Sequence, residues 1–391
     1  MSSVLIQPPS PGGTLREKTQ AAGRDVAIDY LRSFVTVLVV FHHAALAYTS
    51  FSTFNAAQYT ASTAPVVDPS RWALLDLPVS FNDTFFMPLM FLISGLFTLS
   101  SLDRKGSMRF FVERLQRLGL PFLIAAVSIM PLAYWPSRLL AEPQSPLPYW
   151  HAFFTSDTWP AGPAWFLWLL LAFSSVFAVI NHFIPVMAAR IRHRPTIFIF
   201  FLVTVLSYLP LRLIVPANAW TSLGGPFDVQ TSRIGLYFAY FGLGAALGSS
   251  PEWQSMRWPK HWGYLLLLGV LSYMIHILIP QGGAFTGLSS RVSDMIIGTA
   301  FAVSCAATSL GLLGAFRQFV HKRRPLLDSL TSNAYGIYII HYAFITWFQF
   351  LLLPVSWPAW MKFFIVFTLG LGMSWGATML LRRIPAVRKF L

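Results

Sequence analysis

The chain has 391 residues, of which 55% are hydrophobic, 16% aromatic and only 11% charged. A soluble domain carries about 25% charged residues, so the composition excludes an ordinary soluble protein and points to an all-α integral membrane protein. The net charge of +14 does not argue for nucleic acid, because the basic residues alternate with apolar stretches instead of forming one patch.

Residues 1–24 are rich in Pro, Gly and Ser and lack the basic-then-apolar pattern of a signal peptide. They are expected to be a disordered cytoplasmic N-terminus. Ten apolar stretches of near-spanning length follow, at about 26–49, 77–101, 119–136, 163–185, 196–215, 233–249, 261–280, 292–315, 331–354 and 358–381. With the N-terminus inside, 21 of the 28 lysines and arginines fall in inside segments, six in outside segments, and Arg32 lies within the first span. The bias holds at every loop. It predicts about ten transmembrane helices with both termini cytoplasmic. No loop is long enough for a separate folded domain, and the one cysteine, Cys305, excludes an intrachain disulfide.

The first span carries Asp29, Arg32, His42 and His43. Ionisable residues at membrane depth are costly and mark functional sites. At about 100° per residue, Asp29, Arg32, Thr36 and His43 share a stripe roughly 60° wide, while His42 points about 100° away from His43. Arg32 and His43 are about 16 Å apart in helix rise, so they face one way without touching. An imidazole suits proton transfer near neutral pH, and a guanidinium suits an anion or its neighbour Asp29. A purely structural reading, with an Asp29–Arg32 ion pair and a packing histidine, stands beside this one.

Asp83 opens the second span at about the depth of His43, where it could orient an imidazole or simply be wetted at the interface. Ser94 could bind a ligand or a backbone carbonyl, and Gly95 allows close helix contact. Arg114 and Arg117 lie one turn apart on an expected short amphipathic helix ending near Pro121. They could grip a phosphorylated cofactor or only set topology. Trp165 opens the fourth span, and the sixth is glycine-rich, as helix packing requires. In the ninth, Asn333, Tyr338 and His341 lie at increasing depth, and Tyr338 and His341 share a face. Trp165, Tyr338 and Asn333 are the substrate-binding candidates. No metal-binding pattern, P-loop or nucleophile elbow is present, so no metal is expected.

Five motifs in order, DYLR followed by ten residues and His43, FMPLMFLISGLF, ERLQRLGLPF, PAWFLWLLL and NAYGIYIIHYAF, resemble the membrane-bound acyltransferase-3 family. Together with the ending RIPAVRKFL, the nearest likeness is to the branch that succinylates periplasmic glucans. The resemblance covers about residues 25–391 and implies one transmembrane acyltransferase domain. It implies an enzyme moving an acetyl or succinyl group from cytoplasmic acyl-CoA to a carbohydrate hydroxyl of an envelope or exported glycan. Carried over residue by residue, it makes Arg32 and His43 the pair on the first helix, with His341 in support, a role that depth also opens to Asp83. It places Arg114, Arg117, Ser94 and Gly95 with the acyl-CoA, and Tyr338 with His341. Met87-Pro88 stands where many members carry a polar or acidic residue. The expected partners are membrane lipids and the glycan acceptor. A proton-coupled transporter or flippase, using the same histidines as a relay, is the alternative.

Overall fold

A computed structural model of the chain describes residues 25–141, 147–155, 159–185, 195–250, 261–279 and 289–390. The expected N-terminal tail falls outside them, as do the basic residues between 186 and 194 and between 251 and 260. In chain order the helices are α1 (Val26–Leu46), α2 (Asp76–Gly95), α3 (Thr98–Lys105), α4 (Ser107–Leu140), α5 (Tyr149–Thr155), α6 (Trp165–Phe183), α7 (Ile197–Ile214), α8 (Ile234–Ser249), α9 (Trp262–Leu278), α10 (Ser290–Phe319), α11 (Pro325–Leu352), α12 (Ala359–Leu381) and α13 (Pro385–Arg388). All ten expected spans are helical. Eight are long and apolar enough to cross a membrane, and α9, with α8, is shorter. The chain is an all-α, multi-pass membrane protein.

Helix α1 starts where the Asp25 side chain accepts a hydrogen bond from the Ile28 N–H (3.3 Å). Its polar stripe turns inward, burying Asp29, Ser33 and Thr36, because a polar side chain in a membrane must meet protein rather than lipid. The stripe meets α11: the Ser33 and Thr331 hydroxyls share a hydrogen bond of 2.7 Å, and the Tyr30 hydroxyl donates to Asp328 (2.9 Å). On another side the Asn82 amide of α2 donates to the Leu38 carbonyl (3.1 Å). Polar bonds of this kind hold helices together where no hydrophobic force acts between them.

The glycine-rich α8 packs on α2 with backbones in contact. A Cβ at Gly95 would lie 2.1 Å from the Phe241 carbonyl oxygen, and one at Gly244 would lie 2.1 Å from that of Leu92. Only residues without a side chain allow such an approach.

Helix α4 differs from expectation. Pro121 does not end it: the helix runs on to Leu140 through π turns at Leu115–Gly119 and Ala125–Ile129. Each π turn lies just before a proline, Pro121 or Pro131. The wider turn relieves the clash of a proline ring with the preceding turn. Pro121 has no N–H to offer the Arg117 carbonyl, and the Tyr335 hydroxyl donates there instead.

At the end of the bundle where α1 finishes, three connections gather over the helices. One is a short hairpin of β1 (Trp220–Ser222) and β2 (Asp228–Gln230), paired antiparallel with Thr221 opposite Val229. Gly224 and Gly225 both take positive φ in its turn, a conformation that favours glycine. The hairpin is tied down by the Trp168 indole, which donates to the Asp228 carbonyl (3.0 Å). A second is the connection from α1 to α2, anchored by an ion pair of Asp68 with Lys362 of α12 (2.7 Å), whose side chains are 1% and 2% exposed. The third, before α6, brings Pro160 to Pro163 over the same place.

Candidate active site

Beneath these connections lies a cavity of about 510 Å³. The last turn of α1 supplies His42 and His43 to its wall, α2 supplies Asp83, Phe86 and Met87, and α11 supplies Tyr338 and Tyr342. Trp165 of α6 and Asp228 and Gln230 of β2 complete the side toward the connections.

His43 is held from two directions. Its Nδ1 lies 2.9 Å from the Val39 carbonyl and 3.1 Å from Nε2 of His341. The Tyr342 ring meets it edge-on at 5.0 Å. His341 is fully buried, and its Nδ1 faces the carbonyls of Tyr338 (2.8 Å) and Ile337 (3.2 Å). Carbonyls only accept, so the hydrogen of a neutral His341 sits on Nδ1, and its Nε2 carries a lone pair. The facing Nδ1 of His43 must then be the donor. That leaves Nε2 of His43 with its lone pair, as a base requires. These protonation states follow from the hydrogen-bond partners. The Gln349 amide locks the same turn by donating to the carbonyls of His43 (3.0 Å) and Ala44 (3.2 Å).

Asp83 lines the cavity but does not orient His43. It is bound by Arg233, whose guanidinium lies 2.6 Å from its carboxylate and 2.9 Å from its carbonyl oxygen. A guanidinium buried among helices needs that carboxylate, and Arg233 also rests over the Phe301 ring at 4.8 Å. The partner of His43 is therefore a histidine 298 positions away, not the acid on the next helix.

The remaining candidates divide by place. Trp165 and Tyr338 line the cavity, and the Tyr338 hydroxyl is spent on the Pro163 carbonyl. Asn333 does not reach it; its amide donates to the Ser329 carbonyl one turn back (2.7 Å). Arg32, Arg114, Arg117, Ser94 and Gly95 are also absent from its described walls. Arg32 bonds Asp29 at 3.2 Å with its side chain 37% exposed, so the structural ion pair is present. Arg114 lies over the Phe110 ring at 5.1 Å, and the Arg117 carbonyl accepts from the Tyr335 hydroxyl. Ser94 donates to the Met90 carbonyl (2.8 Å). Gly95 is a packing glycine, with the Phe241 carbonyl in the place of its missing side chain.

Helical periodicity set His42 aside, yet it joins the same cavity, its ring stacked on Phe86 at 5.1 Å. A cavity walled by residues of α1, α2, α4, α6, α8 and α11 is wider than a 60° stripe. Asp228 was missed because it lies on a hairpin with no membrane periodicity. Its carboxylate accepts from the Ala161 N–H (3.3 Å), and burial pushes this carboxyl above its ordinary value.

Fold and site together define a multi-pass α-helical membrane protein with a paired-imidazole cavity at one end of the bundle. The chain belongs to the acyltransferase-3 family: residues 25–379 match its model, described as an acyltransferase domain. It is thus a membrane acyltransferase. No curated protein matches the chain.

Proposed function

We propose that the protein is an O-acyltransferase of the inner membrane, with both termini cytoplasmic, that moves an acetyl or succinyl group from acyl-CoA to a carbohydrate hydroxyl of an envelope or exported glycan. The observation that carries this reading is the His43–His341 contact of 3.1 Å at the cavity wall. The succinyl option follows the sequence likeness to the glucan-succinylating branch.

In this reading acyl-CoA is bound at the Arg32 end, its phosphates met by Arg32, Arg114 and Arg117. Its pantetheine arm spans the roughly 16 Å of rise to His43. The acceptor sugar rests against Trp165 and the polar wall of the hairpin. His43 Nε2 takes the proton from the acceptor hydroxyl as that oxygen attacks the thioester carbon. The tetrahedral intermediate collapses, the carbon–sulfur bond breaks, and the proton passes from His43 to the leaving thiolate. While His43 is cationic, its Nδ1–H donates to the His341 lone pair, and His341 cannot swing away because two carbonyls hold its other nitrogen. A route through an acyl-histidine uses the same atoms, with Nε2 as the first nucleophile.

The test is acyl transfer in membranes carrying His43→Ala, with labelled acyl-CoA. Loss of transfer by a normally folded variant is expected, and wild-type rates in it would sink the mechanism.

A further inference from the structure

The chemistry around His43 bears on which acyl group the protein transfers. The cavity has two carboxylates in its wall, Asp83 and Asp228, and among the described lining residues there is no lysine or arginine. Arg233, the cation nearest Asp83, is committed to that carboxylate at 2.6 Å and is 7% exposed. Asp228 has no ion pair among the described residues; its carboxylate accepts from two neutral donors, the Ala161 N–H and the Ser222 hydroxyl. Its charge is therefore not offset. The side chains against His43 are those of His42, His341 and Tyr342; Val39, Phe86, Met87 and Tyr338 share the cavity wall, and the Tyr338 hydroxyl is already donated to Pro163.

An acyl carbon in reach of His43 fixes the place of the rest of the acyl chain. In a succinyl group the distal carboxylate lies roughly 5 Å from the thioester carbon by bond lengths alone. It would fall inside the cavity, whose wall carries both Asp83 and Asp228. A buried carboxylate without a cation is strongly disfavoured, and like charges across a site act as repulsive selection. An acetyl group meets neither cost.

We infer that the cavity selects an uncharged acyl group of the acetyl class and rejects a dicarboxylic one, with Asp228 as the specificity-determining residue. This rests on the acyl-CoA reading above, and it goes against the succinyl option that the sequence likeness suggests. The proton path is unchanged: only the group carried on the thioester carbon differs.

The experiment uses native envelope membranes containing the full chain, so that the acceptor is present, and supplies either labelled acetyl-CoA or labelled succinyl-CoA. Released CoA thiol and label on the membrane glycans are both read. The wild type should use acetyl-CoA with a kcat/KM on the order of a hundredfold higher than succinyl-CoA. Asp228→Asn should narrow that ratio, and Asp228→Lys, which adds a cation, should narrow it further. Because the ratio compares two donors on one acceptor, weakened acceptor binding or a smaller folded fraction cancels. A wild type that prefers succinyl-CoA, or uses both equally, overturns the inference and leaves the acyltransferase reading intact. A ratio unmoved by both substitutions overturns the role of Asp228. Consumption of neither donor removes the acyl-CoA reading and this inference with it.

Discussion

The two ends of α1 are built on opposite plans. At the His43 end the polar groups are joined and the cations among them buried: His43 to His341 at 3.1 Å, Gln349 to the α1 carbonyls, Asp83 to the 7% exposed Arg233, and Asp68 to the 2% exposed Lys362 under the connection above the cavity. At the Arg32 end the cations are more open. Arg32 is 37% exposed, and Arg117 is exposed at the π turn of α4. The first end holds its geometry before any ligand arrives, as proton transfer requires. The second offers charge without a rigid frame, which suits a long polyanionic ligand held by several screened contacts. Mutations at the two ends should therefore fail in different ways.

The largest effect is expected from His43→Ala. Removing a positioned base costs about 10²–10⁴-fold in rate, read as kcat with labelled acyl-CoA while donor binding, measured separately, stays near wild type. Next is Lys362→Met, which leaves Asp68 buried without its cation. Breaking such a pair costs about 3–5 kcal/mol, to be read as loss of unfolding stability in detergent. The double replacement Lys362→Met with Asp68→Leu should be less damaged than Lys362→Met alone. If the single variant unfolds like wild type, the roof over the cavity is not held as described.

His341→Gln sharpens the comparison further. A hydrogen bond to a charged group contributes about 1.5–3 kcal/mol, so kcat should fall roughly 10- to 160-fold with KM little changed. A fall in stability alone, with kcat per folded molecule preserved, would reduce His341 to packing. Gly95→Ala separates packing from cofactor contact. Overpacking costs about 1–3 kcal/mol, so stability should drop while the KM for acyl-CoA holds in the protein that folds. The smallest effect belongs to Arg117→Gln. An exposed charge contributes about 0.2–1 kcal/mol, which is a KM rise of roughly 1.4- to 5-fold that shrinks as salt is added. A large, salt-independent loss there would mean that the Arg32 end is as rigid as the other.

The sequence by itself determined the architecture and singled out His43 as the candidate base. Apolar runs of spanning length can satisfy their backbone in lipid only as helices or closed barrels, and these runs formed helices throughout. The polar stripe on α1 had to turn inward for the same reason, and so Asp29, Thr36 and His43 all face protein. The ordered motifs carried the family. Only the tertiary structure decided what His43 meets. Periodicity gives the direction of a side chain on its own helix, but the facing element depends on how helices pack across the chain. Asp83 and His341 were equal candidates until Arg233 of the α8 approach took the first and two carbonyls of α11 fixed the second. The same packing set Gly95 against a backbone carbonyl and brought His42 into the cavity. It also set Asp228 on a hairpin beside the site, where its unpaired charge, invisible in any helical period, bears on which acyl group can enter.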